Sequence, residues 1–127
     1  MLQKQANSRK QGDVGLGDAI AYFTTLGYTV CIPLTDSQKY DLVIDDGSMK
    51  RVQVKTTYFK TKLGVYSVMI KTCGGNRSGS NIYNFDNTAC DYLYILTDAG
   101  DRYLIPALAI QNKTSINLGG KYQIYKV

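Results

Sequence analysis

The stretch "YDLVIDDGSMKRVQVKTTY", Tyr40 to Tyr58, constrains the fold more than any other part of this chain. It reads as two apolar strands joined by a turn, with Asp46, Gly47 and Ser48 as turn-forming residues. Side chains of a strand alternate between the two faces of a sheet. Leu42, Ile44, Val52 and Val54 therefore share one face and can be buried together. Asp41, Val43 and Asp45 share the other, as do Arg51, Gln53, Lys55 and Thr57 on the returning strand. Two antiparallel registers preserve this arrangement. Asp41 opposite Gln53 leaves a three-residue turn of Asp46, Gly47 and Ser48, whereas Asp41 opposite Lys55 leaves a longer turn from Asp46 to Lys50. In both, an acid, an amide oxygen and a lysine amine converge on one patch. Alternation alone is also the pattern of an ordinary half-exposed hairpin with a solvated polar face.

The remaining elements surround this hairpin. Residues 1–11 form a basic lead expected to be flexible. From Gly12, Leu16, Ile20, Phe23 and Leu26 recur at helical spacing, and Gly27 supplies a stop. "YTVCIPL" reads as a strand ended by Pro33, with Cys31 expected as a small core residue. A further strand is expected in "GVYSVMIKT" and a mobile loop in "CGGNRSGSN". A short helix is expected in "FDNTACD", with Asp86 or Asn87 as its cap. "YLYILT" and "RYLIPA" form a strand pair around "DAGD". "PALAIQN" reads as a helical turn and "YQIYKV" as a last strand. No internal repeat or domain boundary interrupts the 127 residues, so one domain, 1–127, is expected. One helix, a run of strands and a short second helix predict an α/β or α+β sheet with helical cover.

Composition narrows the chemistry. The chain has no histidine. Zinc-histidine hydrolases, Ser-His-Asp and Cys-His nucleophile systems and histidine-based nucleases are thereby excluded. Any catalysis must run on carboxylates, lysine, tyrosine or a hard metal ion. Cys31, Cys73 and Cys90 form no CxxC pair, which argues against a zinc site or a disulfide framework. The start, "MLQKQANSRKQGD", lacks the apolar core of a signal peptide, and no run is long enough to span a bilayer. A cytoplasmic location without membrane association is therefore expected. The net charge of +5 suits a polyanionic partner. Lys50, Arg51, Lys60, Lys62, Lys71, Arg77 and Lys113 are the candidate phosphate contacts, with Arg77 favoured by its Gly/Ser-rich setting.

The spacing Asp-x11-Gln-x-Lys follows a helix, strand, loop and strand in order. Gly12 to Thr57 thereby resembles the PD-(D/E)XK nuclease superfamily. "YD" at 40–41 resembles its PD element, and "QVK" at 53–55 its (D/E)XK element, with glutamine in the acidic slot. The likeness is strongest to the small homing endonucleases of group I introns, which can carry Gln-x-Lys, and next to Holliday junction resolvases. It implies a restriction-endonuclease-like α/β core, a mixed β-sheet flanked by helices. It also implies a Mg2+-dependent DNA endonuclease, with Mn2+ as a substitute ion, working as a homodimer or homotetramer. Asp41, Gln53 and Lys55 would be catalytic. Asp41, Gln53 and the Val54 backbone carbonyl would hold the metal, and Arg51, Lys60, Lys62 and Arg77 would contact DNA. Relatives often carry a glutamate on the first helix, where this chain has Leu16, so Asp13 or Asp18 would have to supply that acid. The alternatives are a junction resolvase of the same fold and a non-catalytic DNA-binding or assembly protein that keeps it.

Overall fold

A computed structural model describes residues 2–76 and 79–127. Among the described residues one α-helix, α1 (Ser8–Thr25), packs on one face of a five-stranded sheet. In chain order the strands are β1 (Thr29–Cys31), β2 (Leu42–Asp45), β3 (Met49–Thr57), β4 (Tyr66–Met69), β5 (Thr72–Asn76), β6 (Gly79–Tyr83), β7 (Tyr92–Thr97), β8 (Arg102–Pro106) and β9 (Ser115–Leu118). The main sheet has the order β1-β2-β3-β7-β8. Its pairs are antiparallel except β3 with β7, which is parallel, so the sheet is mixed.

The helix begins four residues earlier than the apolar spacing alone suggests. Asn7 caps it, its side chain accepting the Lys10 N–H at 3.0 Å. Gly27 ends it with φ +86, a conformation that glycine adopts without steric cost. The buried face of α1 is Gly15, Ala19 and Phe23, flanked by Leu16 and Ile20, whereas Leu26 lies past the last turn and is exposed. This face meets Leu42, Ile44, Val52 and Tyr94 of the sheet. Two residues of the same parity lie on one face, so Leu93, Ile95, Tyr103 and Ile105 point the other way. They form a second core with Val68, Ile70, Phe85, Ile116 and Leu118.

Several expectations are corrected here. The second face of the sheet is covered by the β4–β9 pair and 3-10 turns, not by a second helix. "FDNTACD" forms a turn in which the Asp86 carboxylate accepts the Thr88 N–H at 3.0 Å and its hydroxyl at 2.6 Å; this satisfies the acid locally and starts no helix. "YQIYKV" falls largely within a 3-10 segment, Gly120–Tyr125, and the last strand is instead β9, just upstream. Of the Gly/Ser/Asn-rich stretch expected as a mobile loop, the described residues belong to β5 and β6, which pair antiparallel, and residues 77–78 lie outside the described residues. Cys31 is exposed, because β1 is a three-residue edge strand, whereas Cys90 is buried.

Asp18 locks the helix to the far edge of the sheet. Its carboxylate accepts from Arg102 Nε at 2.9 Å, from a terminal guanidinium nitrogen of Arg102 at 2.7 Å and from the Tyr94 hydroxyl at 2.5 Å. Burial would raise the Asp18 carboxyl, but the Arg102 and Tyr94 hydrogen bonds outweigh it and hold the group below the usual carboxylate range. A depressed folded-state pKa contributes stability above the unfolded value, about 3.9, which is lost as pH falls through the folded value. Asp18→Ala is expected to cost about 1–3 kcal/mol at neutral pH, because it leaves Arg102 and the buried Tyr94 hydroxyl unpartnered. That cost should shrink below about pH 4. Urea unfolding of both proteins between pH 3 and 7 checks this, and a difference independent of pH would contradict it.

Candidate active site

β3 lies at the centre of the sheet, and its two faces do different work. Val52 and Val54 pack toward α1. Gln53 and Lys55 pair with Leu93 and Ile95 of β7 and so project to the opposite face. The hairpin adopts the shorter of the two registers. Leu42 pairs with Val52 and Asp45 with Met49, leaving Asp46, Gly47 and Ser48 as the turn. Gly47 supplies φ +111 there. Continued outward, this register sets Asp41 opposite Gln53.

Asp41 itself departs from the regular ladder. Its amide donates to the Val52 carbonyl at 2.9 Å, and its carboxylate Oδ2 accepts the Val54 N–H at 2.6 Å. A strand residue directs its N–H and its C=O to the same edge. The Val54 carbonyl therefore points toward the side on which the Asp41 carboxylate sits. β2 begins only at Leu42, so this edge of β3 opens beyond the end of its neighbour. Asp41, Gln53, Val54 and Lys55 thus meet at one strand junction, with Asp41 exposed and Gln53 and Lys55 half-buried.

Gln53 and Lys55 also line a cleft of about 210 Å³ with Lys39, Lys71, Phe85, Asp86 and Ala89. Sequence reading overlooked Lys39 and Asp86 as site residues. Lys39 stands two positions before Asp41, so its proximity could have been read from the chain. Asp86 and Lys71 arrive from distant segments, and no local pattern announces them. The Thr88 hydroxyl and amide hold the Asp86 carboxyl below its usual range, with a smaller contribution from the Lys39 charge. Behind Gln53, Cys90 is 2% exposed, and burial pushes its thiol up to about 11, so it carries no thiolate at neutral pH.

Several of the other sequence candidates are engaged elsewhere. Asp18 is occupied by Arg102 and Tyr94. Asp13 is exposed on α1, and Leu16 packs into the helix–sheet core. Arg51 pairs with Asp91 at 3.4 Å and donates to the Thr88 carbonyl at 3.2 Å, which ties the start of β3 to the turn before β7. Lys60 lies over the Tyr66 ring at 4.8 Å, and Lys62 is exposed in the β3–β4 connection. Arg77 lies outside the described residues. Among the described residues no cluster of three or more acids, cysteines or histidines could hold a metal ion. No helix among them is long and apolar enough to cross a membrane.

The profile of the PD-(D/E)XK endonucleases matches residues 6–122, and the chain belongs to that family. Its members generally use divalent metals. The solved structure of a bacterial homing endonuclease, I-Ssp6803I, superposes with a TM-score of 0.83 at 24% sequence identity, covering 95% of this chain and 89% of that one. The two proteins share this fold. No curated protein matches the chain.

Proposed function

We propose that this chain is a divalent-metal-dependent DNA endonuclease of the homing-endonuclease kind, cutting phosphodiester bonds at the junction of Asp41, Gln53 and Lys55. The supporting observation is the Asp41 carboxylate fixed on the Val54 N–H, in the register that sets it opposite Gln53 with Lys55 next on the same face. The donor set suits Mg2+. One carboxylate and two neutral oxygens, from Gln53 and the Val54 carbonyl, are hard ligands, and Mg2+ is commonly held through one or two carboxylates while it keeps several waters. Bound there, the ion would neutralise charge on the phosphate and acidify a coordinated water. Lys55 donates but cannot ligate a cation. Its ammonium orients the attacking water or steadies the charge that develops on phosphorus. One such site cuts one strand, so cleavage of both strands calls for a homodimer or homotetramer.

Cleavage of duplex DNA and of four-way junctions, with Mg2+ and with EDTA, tests the reading. Metal-dependent cutting of duplex supports it, preference for junctions favours a resolvase, and binding without cutting favours a non-catalytic protein. The metal ligands have their own test in calorimetric titration with Mn2+. Asp41→Asn is expected to lose the ion. Gln53→Glu is expected to tighten it, because a full charge replaces a neutral amide oxygen. Affinity unmoved by either change would remove that residue from the metal site.

A further inference from the structure

Three lysines far apart in the sequence meet in the cleft beside Gln53. Lys39 comes from the loop before β2, Lys55 from β3, and Lys71 from the segment after β4. Lys71 is positioned by its backbone, since its amide and that of Ile70 both donate to the Thr114 carbonyl at 3.0 Å. The ion pairs among the described residues engage Lys50, Arg51, Arg102 and Lys126, and none of the three cleft lysines. Asp86 is the one acid among the described residues lining the cleft, and its carboxylate already accepts from Thr88. Three ammonium groups against one carboxylate leave a surplus of two positive charges around about 210 Å³. Small-molecule pockets usually measure about 300–1,000 Å³, so the cleft suits a phosphate group better than a larger ligand. Like charges held together repel, and an anion between them turns the repulsion into attraction.

We infer that Lys39 and Lys71 bind the phosphodiester backbone of the strand being cut, beside Lys55. The inference rests on the DNA-endonuclease reading and deepens it. Lys39 and Lys71 supply positive charge to the phosphates directly. They are recognised by the same rule as other phosphate contacts: a flexible ammonium reads charge and carries no base information.

The test uses the full chain, metal-free, and a duplex that the wild-type protein retains from a randomised pool. Each phosphate contact contributes about 0.9 to the slope of log affinity against log salt. Lys39→Gln and Lys71→Gln are each expected to lower the slope by about 0.9, and the pair by about 1.8. Lys71→Arg should keep the slope, and Lys121→Gln, an exposed lysine outside the cleft, should leave it unchanged. Neutral methylphosphonates placed singly along the duplex should weaken wild-type binding at one or two positions. Those positions should become silent in the double variant. Thermal unfolding of each variant at the wild-type temperature shows that the fold is kept. A wild-type slope in the double variant, with wild-type DNA binding intact, overturns the inference alone. A wild-type protein that retains no duplex overturns the DNA reading and the inference with it.

Discussion

Lys55→Ala is expected to reduce strand cleavage by about 10²–10⁴-fold, the range lost when a group acting on the transition state is removed. The fold should survive the change. Lys55 is half-buried on the face away from α1 and takes part in none of the ion pairs among the described residues. Its backbone pairing with Ile95 does not depend on the side chain. Duplex affinity without metal should fall only by one phosphate contact, because Lys39 and Lys71 remain. Single-turnover cleavage separates the two effects, since a transition-state role lowers the rate at saturating protein, whereas a docking role raises only the protein concentration needed. A Lys55→Ala protein that cuts at the wild-type rate would remove Lys55 from the chemistry.

The second large effect is expected at Gly15, behind the same strand. A Cβ at this position would stand 2.1 Å from Thr56 Oγ1 and 3.3 Å from Val54 Cγ1. Alanine would gain up to about 1 kcal/mol in helix propensity over glycine. The overlap with Thr56 opposes that gain, and forced overpacking costs typically about 1–3 kcal/mol, occasionally more. A net loss of stability is expected, together with a displacement of β3 where Val54 and Thr56 flank Lys55. Thr56 Oγ1 is buried without a hydrogen-bond partner among the described residues, so removing it loses no hydrogen bond to them. In Gly15→Ala/Thr56→Ala the nearest atom of residue 56 becomes its Cβ, at 3.5 Å, an ordinary contact. The double variant should therefore recover most of the stability lost in Gly15→Ala. Chemical denaturation of the three variants forms a double-mutant cycle, and additive losses would show that the two residues do not share this contact.

Much of the site was legible because its signals are local. Period-two alternation from Tyr40 to Tyr58 separates the core face from the polar face without any knowledge of the partner strands. Both registers that the alternation allows bring Asp41 toward Gln53 and Lys55, and the strand pairing selects the shorter turn of Asp46, Gly47 and Ser48. Gly27 ends the helix for a reason carried by glycine itself, its tolerance of positive φ. The helix start escaped notice because Asn7 lies upstream of the apolar stripe, where no periodicity marks it.

What alternation determines is which residues share a face; what covers that face depends on contacts between distant segments. The parallel pairing of β3 with β7 makes the hairpin central and brings the turn at Asp86 and the strand exit at Lys71 to the cleft. Nothing within a few residues of either position encodes that meeting. Asp18 shows the same division. Its sequence position suits a helix acid of the active site, yet Arg102, 84 residues away, and Tyr94 take its carboxylate. Cys31 is apolar in its neighbourhood but exposed, because β1 lies at the edge of the sheet. The sequence by itself thus determined the helix, the hairpin and the Asp, Gln and Lys that line it, through periodicities of 3.6 and 2 that act over a few residues. Only the tertiary structure decided the strand order, the engagement of Asp18 and the gathering of three lysines, because these depend on long-range packing that no local period specifies.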